Sequence, residues 1–287
     1  MTSVLVTGAA GNIGSRVVSE LRNRGAMVRA FVRDPGRAAS CLAQGVEMAS
    51  GDYDDPASVE RALNGMETVL LLAPNHPRQA EWETAVIDAA SAHGVQRLVK
   101  ISTIGAKIGS PSAFWDAHGR IERHLQASGV PAVTLQSSFY MSGLLASAEP
   151  VRQLGKLFTP LADARIGMVD PRDVAAVAAQ ALTSSQYDGM TLTLTGPESI
   201  THAQIAEQLA TVTGRPVEFV NVPDHAAQQN MLASGVPPWV VEQLGTLFGL
   251  LRGGAADLVT DTVRNVTGRE PRSFAQFARD HAAQFRA

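Results

Sequence analysis

Three glycines carry the first sign of chemistry in this chain. Thr7-Gly8-Ala9-Ala10-Gly11-Asn12-Ile13-Gly14 spaces them as G-x-x-G-x-x-G, directly after the apolar run Val4–Val6. The first glycine permits a tight turn, the second lets backbone approach a pyrophosphate, and the third lets a helix pack closely on a strand. A helix that starts there points unpaired N–H groups and the positive end of its dipole at phosphate oxygens. Glycines alone would mark any tight turn. Placed between a first strand and a first helix they predict a dinucleotide cradle, to which Thr7, Asn12 and Ile13 also belong. No Lys follows the third glycine, which excludes a phosphate-binding P-loop.

The choice between nicotinamide cofactors is made at the end of the second strand, about 20 residues beyond the glycines, where an Asp or Glu would hold the ribose 2′-hydroxyl of NAD. This chain has Arg33 nineteen residues after Gly14, with Arg37 one turn further on. A guanidinium pairs bidentately with a 2′-phosphate, so the expected cofactor is NADP(H). Asp34 is the rival, and a solvated loop arginine is the bland alternative for Arg33. Asp52, in Gly51-Asp52-Tyr53, either accepts the adenine amino group or caps its own turn. Leu72-Ala73-Pro74 ends the fourth strand and is expected to lie against the middle of the cofactor.

The elements that must position these residues alternate. Val4–Val6, Val28–Val32, Val46–Met48, Thr68–Leu72, Leu98–Ile101 and Ala132–Leu135 read as buried parallel strands. Between them lie helix-like stretches. Ile13, Val17, Val18 and Leu21 share one face of the first, and Ala85, Val86, Ala89 and Ala90 one face of the fourth. Gly25, Gly45, Gly65, Gly94 and Gly129 stand where left-handed helix caps are needed. Strands alternating with helices predict an α/β, Rossmann-type doubly wound parallel sheet. Later, Asp170-Pro171-Arg172-Asp173 reads as a helix start, Met190–Leu194 and Pro216–Val222 as strands, and Thr201 with Gln204 as a capping box before a helix ended by Gly214. Pro237-Pro238 opens a helical tail. The expected organisation is a nucleotide-binding domain over 1–138, completed by 166–195, and a smaller, mainly helical substrate lobe from 139–165 and 196–287.

Composition narrows the function classes. The chain has 287 residues, 45% hydrophobic and 18% charged, with a net charge of −3. No basic excess points to nucleic acid. No apolar run of eighteen residues and no leader pattern is present, so no membrane partner is expected and the protein reads as cytoplasmic. Cys41 is the single cysteine; it leaves no intramolecular disulfide or multi-cysteine metal site and reads as a small apolar side chain. There is no G-x-S-x-G elbow and no H-E-x-x-H, and no metal is expected.

The glycine pattern, Arg33, Gly51-Asp52, Lys100-Ile101-Ser102, Val169-Asp170-Pro171-Arg172-Asp173-Val174-Ala175, Leu194-Thr195-Gly196-Pro197-Glu198 and Gly214-Arg215-Pro216-Val217 together resemble the atypical short-chain dehydrogenases of the NmrA-like group. Closest in appearance are the bacterial quinone oxidoreductases and triphenylmethane reductases of that group, and the similarity runs the length of the chain. The wider superfamily places a Tyr-x-x-x-Lys pair on the helix after the fifth strand, the Tyr protonating a carbonyl and the Lys holding the nicotinamide ribose. In the matching stretch, Phe114-Trp115-Asp116-Ala117-His118, Phe114 stands at the Tyr position and His118 at the Lys position. Standard carbonyl reduction is therefore not expected.

Hydride transfer survives that loss, because the nicotinamide carries the chemistry and the protein supplies position and electrostatics. Quinones, conjugated enones and cationic dyes need little acid help. On this resemblance His118 orients the ribose or lends a proton, Ser102 lies near the nicotinamide, and Thr103 faces the acceptor. A helix histidine satisfied by a backbone carbonyl is the alternative for His118. The segment Ser138-Phe139-Tyr140-Met141 would line the substrate pocket, with Gln136 where an Arg is usual. Tyr140 then serves as a stacking wall or a substitute acid beside Phe139, unless both are plain core. The expected activity is NADPH-dependent reduction of a quinone-like or extended conjugated small molecule by a monomer or homodimer. The rival is a redox sensor that binds NADP(H) without turnover and controls a partner protein.

Overall fold

The computed structural model describes residues 2–38 and 45–286. Cys41 and the Arg37 side chain lie outside what is described. The chain divides into two compact units, Met1–Ser137 with Pro171–Thr193, and Ser138–Asp170 with Leu194–Ala287.

The first unit is built on strands β1 (Ser3–Val6), β2 (Met27–Val32), β3 (Glu47–Ser50), β4 (Thr68–Leu71), β5 (Arg97–Thr103) and β6 (Ala132–Ser137), with β8 (Thr191–Leu194) at the far edge. The sheet order is β3-β2-β1-β4-β5-β6-β8. Neighbouring strands from β3 through β6 are parallel, with Leu5 beside Val69, Val69 beside Leu98 and Ser102 beside Gln136. Strand order reverses between β1 and β4. In such sheets the crevice beyond the strand ends at that point is where ligands bind.

Helices α1 (Asn12–Asn23), α2 (Pro56–Leu63), α3 (Gln79–Ala92), α4 (Ala113–Ala127) and α6 (Pro171–Leu182) cover this sheet. Helix α1 packs with α6, while α2, α3 and α4 pack in series. One core cluster joins Leu5, Phe31, Val69, Leu71 and Leu98 of the strands to Leu63, Val86, Ile87 and Ile121 of those three helices. The five interhelix glycines all take the left-handed conformation their places demand, with φ between 66° and 77°.

The buried face of α3 differs from the expected one. Ala85 is exposed and Ala89 half-buried, and the helix instead turns Gln79, Glu83, Val86, Ile87 and Ala90 inward. Polar Gln79 and Glu83 face the sheet because Lys100, on the adjacent strand β5, supplies a buried partner. A periodicity count over apolar residues misses that.

The second unit contains α5 (Ala148–Leu154), β7 (Lys156–Thr159), α7 (His202–Thr213), β9 (Glu218–Asn221), α8 (Asp224–Ala233), α9 (Pro238–Arg252) and three short helices beyond. Thr201 and Gln204 form the expected capping box, and Gly214 ends α7 in the left-handed region at φ 73°. Strand β7 has no counterpart in the periodicity reading. It is four residues long, follows the left-handed Gly155, and pairs in parallel with β9.

Candidate cofactor and active site

The loop after β1 is held to the neighbouring strand by one side chain. Thr7 Oγ1 donates to the Leu70 carbonyl (2.9 Å) and accepts from the Leu72 amide (2.9 Å). Gly8 has φ 60°, and a Cβ on it would lie 2.7 Å from the Leu72 carbonyl oxygen. A Cβ on Gly14 would lie 2.2 Å from the Gly8 carbonyl oxygen, so α1 can sit this close only with glycine there. The Gly11 amide donates to Gly8 (2.9 Å) and closes the turn. Helix α1 then begins at Asn12 with no side-chain cap and no acidic residue in its first turn. Its first amides and dipole end are those an anion would meet. The cradle has the shape and polarity a dinucleotide pyrophosphate requires.

Arg33 is exposed directly after β2. Asp34, the rival acidic residue, has its carboxylate turned back to accept from the Gly36 amide (2.9 Å). Asp52 likewise accepts from the Asp54 amide (3.0 Å) and caps its own turn.

Tyr53 was not singled out in the sequence. Its hydroxyl donates to the Leu72 carbonyl (2.8 Å), and burial of that hydroxyl pushes its pKa up. The ring stacks on Trp82 (5.8 Å, 19°), whose other neighbour is His76 (4.2 Å, 15°). Asp54 ties the arrangement together by accepting from Trp82 Nε1 (2.6 Å) and pairing with Arg78 (2.6 Å). Thr7 and Tyr53 thus pin the start of Leu72-Ala73-Pro74 from two sides. Only the aromatic–loop–aromatic spacing could have hinted at it.

A second polar group lies buried at the ends of β4 and β5. Lys100 Nζ pairs with Glu83 Oε2 at 2.7 Å, both side chains having 0% exposure, and also donates to the Ile101 carbonyl. Glu83 Oε1 accepts from the Ala73 amide (3.3 Å) and from Gln79 Nε2 (3.0 Å). His118 Nε2 lies 3.5 Å from the same Gln79 nitrogen. The carbonyl partner considered for this ring is therefore not what is found. Burial, and then the charge of Lys100, hold the His118 pKa well below its ordinary value, so the ring is neutral near pH 7.

Phe114 is buried one turn before His118. Ser102 Oγ donates to Glu122 Oε1 (2.5 Å), and Gln136 Nε2 donates to both oxygens of that carboxylate (3.1 Å each). With its proton committed, the Ser102 hydroxyl can only accept from a ligand. Thr103 follows, half-buried, at the end of β5. Phe139 and Tyr140 belong to the second unit and are both half-buried rather than plain core. The backbone there is fixed by the Val169 amide donating to Phe139 (2.9 Å) and by a parallel bridge between Tyr140 and Val169. Among the described residues no group of three or more His, Cys, Asp or Glu could hold a metal ion. Among the same residues no helix is long and apolar enough to cross a membrane.

Residues 1–274 match the model of the NmrA-like family. The chain belongs to that family. An NAD(P)H azoreductase from Xenophilus azovorans is 36% identical over 284 residues, covering 99% of each chain. A (4-alkanoyl-5-oxo-2,5-dihydrofuran-3-yl)methyl phosphate reductase from Streptomyces griseus is 36% identical over 283 residues, 98% of this chain and 99% of that one. Among solved structures, an NADPH-dependent quinone oxidoreductase from Escherichia coli in complex with NADPH superposes with a TM-score of 0.88 at 26% identity, over 97% of this chain and 99% of that one.

Proposed function

We propose that this chain, an NAD(P)H-dependent oxidoreductase of the NmrA-like family, uses NADPH to reduce a quinone-like or extended conjugated small molecule without the superfamily's Tyr-Lys pair. The observation that carries the reading is the pairing of an uncapped glycine cradle with a helix α4 that offers Phe114 and a neutral His118 where an acid–base pair would stand. When bound, NADPH supplies the hydride.

The residues of this chain bind and orient. Gly8, Gly11 and Gly14 admit the pyrophosphate, which the α1 amides of Asn12, Ile13 and Gly14 receive. Arg33, exposed beside the crevice, takes the 2′-phosphate, with Arg37 as its neighbour in sequence; the Asp34 carboxylate is engaged elsewhere. Leu72, Ala73 and Pro74 line the middle of the cofactor, and the turn-capping Asp52 borders the adenine. His118 and Ser102 meet the nicotinamide end, and Thr103 the acceptor. Conjugated acceptors suit such a site because their reduced forms are neutral or delocalised and take any proton from water. The named relatives reduce azo, dihydrofuranone and quinone compounds, which share this electronic character.

The test is label transfer. NADPH deuterated at nicotinamide C4 is incubated with the protein and a conjugated enone, and the product is read by mass spectrometry and NMR. Deuterium on the carbon β to the carbonyl supports the reading. Tight NADPH binding with no acceptor reduced would replace it with the non-catalytic redox sensor.

A further inference from the structure

The buried polar group behind the cofactor loop determines where the proton of His118 resides. A carboxylate only accepts hydrogen bonds, so the Gln79 amide must turn its NH2 toward Glu83 Oε1, 3.0 Å away. The opposite orientation would set two oxygens against each other inside the fold. Glu83 Oε2 pairs with Lys100 Nζ at 2.7 Å, and Oε1 also accepts from the Ala73 amide. The same Gln79 nitrogen, with its second hydrogen free, lies 3.5 Å from His118 Nε2. An NH2 group has no lone pair to offer, so Nε2 must be the accepting nitrogen. In a neutral imidazole the proton then sits on Nδ1. Nδ1 is buried, with no hydrogen-bond partner among the described residues. A buried N–H left without an acceptor is costly, and an orphaned one in a native fold calls for a specific role or partner.

We propose that Gln79 and Glu83, anchored by Lys100, are positioning residues that lock His118 as the neutral Nδ1–H tautomer, a donor reserved for an oxygen of the cofactor's nicotinamide ribose. This rests on the reading above that NADPH occupies the crevice. The superfamily's lysine is then replaced by a neutral donor of fixed tautomer, and the cation stands behind it, on β5, where it does not touch the ligand. Glu83 ties the same relay to the Ala73 amide, so the cofactor loop and the histidine are set by one carboxylate.

The experiment is long-range 1H–15N NMR on protein carrying 15N-histidine, with the His118 signals assigned from a His118→Gln spectrum. In the free wild-type protein His118 is expected to show a protonated Nδ1 and an unprotonated Nε2. In Gln79→Leu, with cooperative unfolding retained, the tautomer is expected to become mixed or to reverse. Its kcat/KM for NADPH should fall about five- to tenfold, as for one lost hydrogen bond. Adding NADP+ to the wild type should shift the Nδ1 resonance. An Nε2–H tautomer in the free protein, or an unchanged tautomer in Gln79→Leu, overturns the lock. The wild-type spectrum decides the tautomer even if the variant does not fold. NADP+ binding that leaves Nδ1 unmoved overturns the donor role. Failure of NADP+ to bind at all refutes the cofactor reading and the donor role with it, while the lock is still judged on the free protein.

Discussion

Replacing Lys100 with methionine removes one half of an ion pair that has no contact with water. Both side chains are fully buried and the charges lie 2.7 Å apart. At an effective dielectric of about 20 the attraction at that distance is about 6 kcal/mol, most of it offset by the cost of burying both ions. Removing only the lysine leaves Glu83 charged, buried and held by Gln79 and Ala73 alone, a situation that destabilises by about 3–5 kcal/mol. For a chain of this size that corresponds to a fall in Tm on the order of 10 °C. Lys100→Met combined with Glu83→Gln removes both charges while keeping an acceptor for the Ala73 amide. The double variant should recover most of the loss, within about 1–2 kcal/mol of wild type. Urea unfolding of the four proteins in a double-mutant cycle measures this coupling. Additive losses, or a Lys100→Met protein within 1 kcal/mol of wild type, would refute the buried pair and the relay built on it.

Three further outcomes are expected. Arg33→Ala should weaken NADPH by about 1–2 kcal/mol, or five- to thirtyfold, toward the low end for a charged hydrogen bond because the site is exposed, and leave NADH unchanged; calorimetric titration of both nucleotides reads it. Gly14→Ala places a methyl 2.2 Å from the Gly8 carbonyl oxygen and should destabilise by about 1–3 kcal/mol while abolishing tight NADPH binding, seen as a lower Tm that NADPH no longer raises. Burial lowers the His202 pKa from 6.5 to about 4, so the unfolded chain takes up the proton first; the associated stability is present above pH 6.5 and lost as pH falls toward 4, by on the order of 3 kcal/mol. His202→Gln should flatten urea-unfolding stability across that window.

The sheet and the cradle were readable in the sequence because local geometry demands particular residues. Glycine at positions 8 and 14 answers two backbone collisions and at 11 a tight contact with Gly8, and Gly25, Gly65 and Gly94 answer left-handed caps, each within a few residues of the element it ends. The reversal of strand order follows from alternation and crossover handedness. The polar machinery was not readable in the same way. Gln79, Glu83, Lys100 and His118 come from three elements, and their meaning lies in distances that only the folded chain creates. Counting apolar residues found Val86 and Ala90 of the inner face of α3 but missed Gln79 and Glu83, since a buried carboxylate beside a buried lysine looks like two solvated charges in one dimension. Tyr53 escaped for a related reason: its function is one hydrogen bond to a carbonyl nineteen residues away. The second unit's short β7 carries too few residues for any period to register.

The most direct measurement is NADPH consumption by the purified protein with a matched panel of acceptors, followed at the absorbance band of the reduced nicotinamide. Quinones, conjugated enones and azo or cationic dyes are expected to be reduced, with simple ketones of similar size far slower because Phe114 and neutral His118 stand where the superfamily's Tyr-Lys pair would. Reduction of the simple ketones at rates equal to the conjugated compounds would contradict a site that works without that pair. Consumption with none of the panel, despite tight NADPH binding, would contradict catalysis itself.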